Sequence, residues 1–170
     1  SINLDLTSAC NHRCPFCVDM DMLNSGNKLC TNEIKRMTDL LCDKGLKSVI
    51  VIGGGEPTIH KDFEEIIVYL KSKGLQLGIV TNGTKMDKII SIADSLTDPH
   101  DFVRLSLDAG TQQTFEALHD SRSKQTLLEI CAKVKNLKMK NKNLTVGYSY
   151  IVSWNGCQYK GVQIKENITE

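Results

Sequence analysis

Along this 170-residue chain the hydrophobic period switches repeatedly between two and about 3.6, so strands and helices alternate instead of segregating. Ile2, Leu4 and Leu6 alternate with Asn3, Asp5 and Thr7 as a first strand, and further strands are predicted over 48–52, 75–80, 102–107 and 144–152. Apolar stripes between them predict helices. The first starts from an N-cap at Thr31 and buries Ile34, Met37 and Leu41 before Gly45. The second has Asp62 and Glu65 at capping-box spacing and buries Phe63, Ile66, Ile67 and Leu70. A third carries Met86, Ile89, Ile90 and Ala93, a short one starts at Thr111, and a longer one carries Leu127, Ile130, Cys131 and Val134.

Repeated βα units imply a parallel sheet with right-handed crossovers, either doubly wound or closed toward a barrel. Polar motifs favour the barrel, because one follows each of four successive strands: Cys10–Cys17, Gly53–Thr58, Thr81-Asn82-Gly83 and Asp108. Such motifs converge only if the sheet curves around them, whereas an open sheet concentrates its ligand contacts at one switch point. The expected fold is therefore α/β, a partial TIM-like (βα) barrel of about five units over residues 1–155, with a tail at 156–170.

Charge and cysteine usage narrow the function classes. With 21 basic and 20 acidic residues there is no electrostatic footprint for nucleic acid or an anionic membrane, and no apolar run approaches the ~20 residues that span a bilayer. Seven cysteines with no signal peptide before them point to a reducing, cytoplasmic setting and not to a disulfide framework. The sequons at Asn82, Asn143 and Asn167 carry no meaning there.

Three of the seven fall in the run Cys10-Asn-His-Arg-Cys14-Pro-Phe-Cys17. Three thiolates on one tight loop suit a soft metal or an iron–sulfur cluster. Structural zinc competes, but needs a fourth ligand from His12 or a remote cysteine, and His12 is awkwardly placed to share a metal with Cys10 and Cys14. A four-iron cubane held by three thiolates keeps one iron open to a non-protein ligand, the mark of a catalytic site.

The cysteine run, with an aromatic before its last cysteine, resembles the cluster motif of the radical S-adenosylmethionine enzymes. Gly54-Gly55-Glu56-Pro57, Thr81-Asn82-Gly83 and Ser106-Leu107-Asp108 resemble that family's motifs after the second, third and fourth strands. The resemblance implies a [4Fe-4S] cluster on Cys10, Cys14 and Cys17, with S-adenosylmethionine chelating the open iron. It implies that Gly54, Gly55 and Glu56 receive the methionyl ammonium, that Pro57 fixes the turn, that Ser106 bonds the methionyl or ribose end with Asn82 nearby, and that the backbone around Phe16 meets the adenine. Gly147 stands where the family's fifth-strand glycine motif is otherwise missing. The implied reaction is reductive cleavage to a 5′-deoxyadenosyl radical that abstracts hydrogen from a peptide or small-molecule substrate, with electrons from an external donor such as a flavodoxin or ferredoxin.

The family core would also need a sixth βα unit beyond Val152, whereas Gly161–Glu170 reads as the approach to a helix that never runs, so a truncated core that binds without turnover stands as one alternative. A non-catalytic iron–sulfur or zinc module is the other; the Gly54-Gly55-Glu56 motif argues against it. Asp108 is a candidate either to cap the following helix or to contact substrate, and Cys157 a candidate hydrogen donor or extra ligand. His60 and His119 read as loop and helix-end residues, Cys30, Cys42 and Cys131 as small buried residues, and Lys133–Lys142 as a solvated helix face.

Overall fold

The computed structural model describes residues 1–121 and 123–169. Strands β1 (Ile2–Leu4), β2 (Ser48–Val51), β3 (Gln76–Thr81), β4 (Phe102–Ser106) and β5 (Thr145–Ser149) form one parallel sheet in the order β1-β2-β3-β4-β5. Helices α1 (Thr31–Asp43), α2 (Phe63–Ser72), α3 (Met86–Ser91), α4 (Gln112–His119) and α5 (Leu127–Lys140) occupy the crossovers. A strand order that never reverses, with crossovers of the usual right hand, keeps every helix on one face of the sheet. The helices indeed form a single layer, with α1 against α2, α2 against α3 and α3 against α5. A doubly wound sheet would need a reversal; the architecture is a partial barrel.

The period-two pattern determines what each face carries. Val49, Val51, Leu77, Ile79, Val103 and Leu105 are all buried toward the helices, where they meet Ile34, Phe63, Ile66, Ile67, Met86, Ile89 and Ile130. Ile52, Val80, Arg104, Ser106 and Ser149 face the other way and line a cavity. Gly78 is forced by this packing, since a Cβ there would run into the Phe102 ring of the neighbouring strand.

Several elements are shorter than the sequence pattern suggests, for local reasons. β1 stops at Leu4 because the chain beyond it turns to the cysteine loop: Leu6 accepts from the Leu29 N–H (3.0 Å) and Thr7 forms an antiparallel bridge with Lys28. β5 stops at Ser149, and the Ile151 N–H is taken by the Asp108 carboxylate (2.7 Å). Two expected caps are redirected. Thr31 is the first residue of α1 and gives its hydroxyl to Asp62 (2.6 Å), which therefore does not cap α2. Thr111 caps α4, and Thr126, which the sequence reading did not single out, caps α5. Cys30 is exposed, and Cys42 and Cys131 are half-buried, so only the latter two resemble the expected core fillers.

Within the described residues the tail after β5 is a hairpin of β6 (Gln158–Tyr159) and β7 (Val162–Gln163), turning through Lys160 and Gly161, both at positive φ. Asn167 fastens it: the buried amide donates to the Asp108 and Ile151 carbonyls (2.7 and 2.8 Å) and accepts from the Ser153 N–H (2.7 Å). Glu170, the end of the expected tail, lies outside the described residues.

Candidate active site

The loops after β1, β2, β3 and β4 meet at one end of the sheet around a cavity of about 320 Å³. That size lies in the range of small-molecule sites. Backbone and side-chain ties hold the cysteine loop against each neighbouring motif. The Ala9 carbonyl accepts from the Glu56 N–H (2.8 Å), Asn11 bonds both Asn82 (2.9 Å) and Thr84 (2.8 Å), and the Arg13 N–H donates to the His119 carbonyl at the end of α4 (3.0 Å). Asn24 caps the Cys10 N–H (3.0 Å).

Cys10, Cys14 and Cys17 all line the cavity. Burial pushes each thiol upward, and the other sulfurs add to the effect at Cys10 and Cys14. Thiols that resist ionisation because they are buried, with some mutual repulsion added, are relieved by a shared cation. This donor set therefore fits a cluster or a thiophilic metal.

Glycines in the second-strand loop serve the protein's own backbone first. Gly53 and Gly54 both have φ of +63°. A Cβ on Gly55 would stand 2.6 Å from the Ser8 carbonyl carbon and 2.7 Å from that of Ala9, and nearer still to the Ala9 oxygen. The absent side chain is what lets this loop lie on the residues that launch the cysteine run. Glu56 is fully buried at the cavity wall. One carboxylate oxygen accepts from the Thr58 N–H (3.1 Å), the Thr58 hydroxyl (2.5 Å) and the Thr81 hydroxyl (2.7 Å), and the other from the Asn82 N–H (2.7 Å). Burial raises its carboxyl, against the pull of these donors. Glu56 thus braces β2 to β3. Pro57 opens a buried 3-10 turn behind the wall and is not on the cavity lining.

Phe16, Gly54, Gly55, Glu56, Asn82, Ser106 and Asp108 all reach the cavity. The Ser106 side chain makes no hydrogen bond among the described residues, and it pairs across the strands with Ser149, also on the lining. Gly147 lies opposite Arg104 on β5 with nothing within 4 Å of an added Cβ, and both Gly147 and Cys157, the latter in the tail, are off the lining. Asp108 is buried at φ +55° and is not the N-cap of α4, a position that Thr111 takes. Its carboxylate receives Ile151 and stands 3.8 Å from His119 Nε2.

Sequence reasoning passed over His119, Arg104 and Asn167, and set His12 aside as awkwardly placed to share a metal with Cys14, whereas the structure brings His12 together with Cys14 and His119. His119 is buried, with Nδ1 3.2 Å from Cys14 Sγ and Nε2 donating to the Leu107 carbonyl (2.8 Å). His12 is buried beside it with neither ring nitrogen hydrogen-bonded among the described residues. Burial, reinforced by His119, drives the His12 pKa down to about 3. Arg104 lines the cavity from mid-β4, and Asn167 had registered only as a sequon. Period two could have placed Arg104, which shares a strand face with Ser106. Nothing local in the sequence brings residue 119 to residue 14.

Comparison with known proteins matches the chain to the family model described as the Radical SAM superfamily over residues 4–152. Among curated proteins it is 32% identical over 127 residues to an S-adenosylmethionine-dependent nucleotide dehydratase of Selenomonas ruminantium, covering 75% of this chain and 46% of that one. Among solved structures it resembles Streptococcus suis SuiB bound to its precursor peptide SuiA (TM-score 0.68, 16% identity, 85% of this chain and 32% of that one). It likewise resembles anSMEcpe with bound AdoMet (TM-score 0.66, 16% identity, 87% and 43%). The chain spans less than half the length of each of these proteins.

Proposed function

The chain belongs to the radical SAM superfamily, a family of enzymes that use a [4Fe-4S] cluster and S-adenosylmethionine, and from that premise we propose that Cys10, Cys14 and Cys17 hold the cluster and that the cavity beside them takes the cofactor. When bound, the cluster supplies the electron that cleaves the sulfonium carbon–sulfur bond, generating a 5′-deoxyadenosyl radical that abstracts hydrogen from substrate. The observation that carries the reading is the convergence of three thiols with the second-, third- and fourth-strand motifs around one cavity.

The chain's own residues have distinct tasks. Gly54 and Gly55 present backbone at the wall, where their missing side chains leave room for the methionyl end. Glu56 contributes negative charge near a cationic cofactor while its oxygens stay engaged with Thr58, Thr81 and Asn82. Ser106 offers its hydroxyl, and Phe16 offers an apolar edge to the adenine. Gly147 keeps the fifth strand bare for the cofactor's far side, and Pro57 holds the turn from behind. Asp108 and Asn82 act by positioning loops. Cys157 is held off the lining, which supports a peripheral role. Electrons come from an external flavodoxin- or ferredoxin-like donor, and seven unpaired cysteines support a cytoplasmic setting.

A peptide or small anionic substrate is the class we propose. A nucleotide is named for one relative and a peptide for one structural neighbour, and Arg104 supplies a cation on the lining. The test is anaerobic reconstitution with iron and sulfide, then dithionite and S-adenosylmethionine. Release of 5′-deoxyadenosine is expected, and a cluster-loaded protein that binds no S-adenosylmethionine and releases none would refute the reading.

A further inference from the structure

Two groups near the cavity remain unexplained by cofactor binding, the unpartnered ring of His12 and the His119 nitrogen aimed at Cys14, and with the Cys14 thiol, itself a proposed cluster ligand, they form a compact donor set. One donor atom from each lies within 4.8 Å of the others. We propose that the cluster-free chain carries a second metal site, in which His12, Cys14 and His119 bind a single borderline-soft divalent cation such as zinc or cobalt.

His119 is already set as a ligand. Its Nε2 carries the proton, because it faces the Leu107 carbonyl, which can only accept (2.8 Å). Nδ1 is therefore bare and points at Cys14 Sγ from 3.2 Å. A backbone carbonyl that fixes the far nitrogen is the usual outer support of a metal-binding histidine. Zinc–ligand lengths of roughly 2.3 Å to sulfur and 2.05 Å to nitrogen put tetrahedral neighbours about 3.6 Å apart, close to this separation.

His12 supplies the second, independent observation. It is only 2% exposed, yet neither nitrogen has a partner among the described residues. Two buried ring nitrogens left unsatisfied carry an uncompensated desolvation cost, and a metal bond removes part of it. Its ring lies 5.2 Å from that of His119, centroid to centroid. All three residues line the cavity, so an ion has an entry path and water can fill the fourth position. Coordination releases the Cys14 thiol proton to solvent, and the bound unit carries one positive charge beside Asp108.

Because Cys14 belongs to both constellations, the ion and the cluster exclude one another. That exclusion rests on the proposed cluster function; the site itself does not. The test titrates the anaerobic, cluster-free 170-residue chain with Co²⁺, follows the tetrahedral ligand-field and thiolate charge-transfer bands, and determines the first shell of the Zn²⁺ form by X-ray absorption. One ion per chain is expected, with one sulfur and imidazole nitrogens in the wild-type shell. Binding should persist in the Cys10→Ala/Cys17→Ala variant and weaken by at least roughly tenfold in His12→Phe, which retains a ring against Phe115. A wild-type shell of three sulfurs, loss of Co²⁺ in the double cysteine variant, or full affinity in His12→Phe would overturn the site. If the double cysteine variant still assembles a cluster, the cluster reading fails while the metal site stands.

Discussion

At the residue scale, two glycines that look alike in sequence have opposite surroundings. Gly55→Ala sets a Cβ against the Ser8 and Ala9 backbone, which has no flexible end to yield. It should destabilise the cluster-free protein by about 1–3 kcal/mol and depress cluster loading, as measured by chemical denaturation and iron content. Gly147→Ala meets open space. It should leave stability unchanged and weaken S-adenosylmethionine binding, read by calorimetry; unchanged affinity would remove Gly147 from the cofactor site.

His12 gives a pH prediction of definite sign. Its folded pKa, near 3, lies below the ordinary value of 6.5, so the unfolded chain binds the proton more readily. Its contribution to stability is complete above pH 6.5 and is lost as pH falls through that value toward 3. His119 is shifted the same way by burial, and Asp108 the opposite way. The His12 share is isolated by comparison: below pH 6 the metal-free wild type should lose about 1.4 kcal/mol per pH unit more than His12→Phe. Parallel stability curves for the two would contradict this.

At the element scale, buried polar clamps set where strands begin. Asp101, fully buried, accepts from the Leu77 N–H (2.7 Å) at the start of β3, from Asp98 N–H (3.0 Å), and from the Lys71 ammonium near the end of α2 (2.7 Å). Asp101→Asn leaves a buried ammonium without its counter-charge and should cost about 3–5 kcal/mol, measured by denaturant unfolding. Strand and helix order was legible because apolar side chains alternate with period two on strands and 3.6 on helices. Element ends were not, because they depend on distant partners. Thr31 looks like a cap but bonds Asp62, and β1 yields Leu6 and Thr7 to a segment some twenty residues away. The hairpin after β5 was missed for the same reason, since Asn167 finds its partners on two other loops.

At the scale of the whole molecule, the unbroken strand order and single helix layer leave a concave face whose upper rim collects the motifs. The cysteines, the glycine loop and the third- and fourth-strand segments were legible because each is local in sequence. The histidine pair beside Cys14 was not, because it exists only once α4 returns its C-terminal end to the cysteine loop. The same geometry predicts that Cys14→Ala abolishes cluster loading, whereas Cys131→Ala, on the helix layer, leaves iron and sulfide content intact. The central claim is that three cysteines hold a cluster with one iron open to S-adenosylmethionine, and Mössbauer spectroscopy of protein reconstituted with ⁵⁷Fe tests it most directly. A single iron site should change its isomer shift when S-adenosylmethionine is added, while spectra identical with and without it would contradict the account.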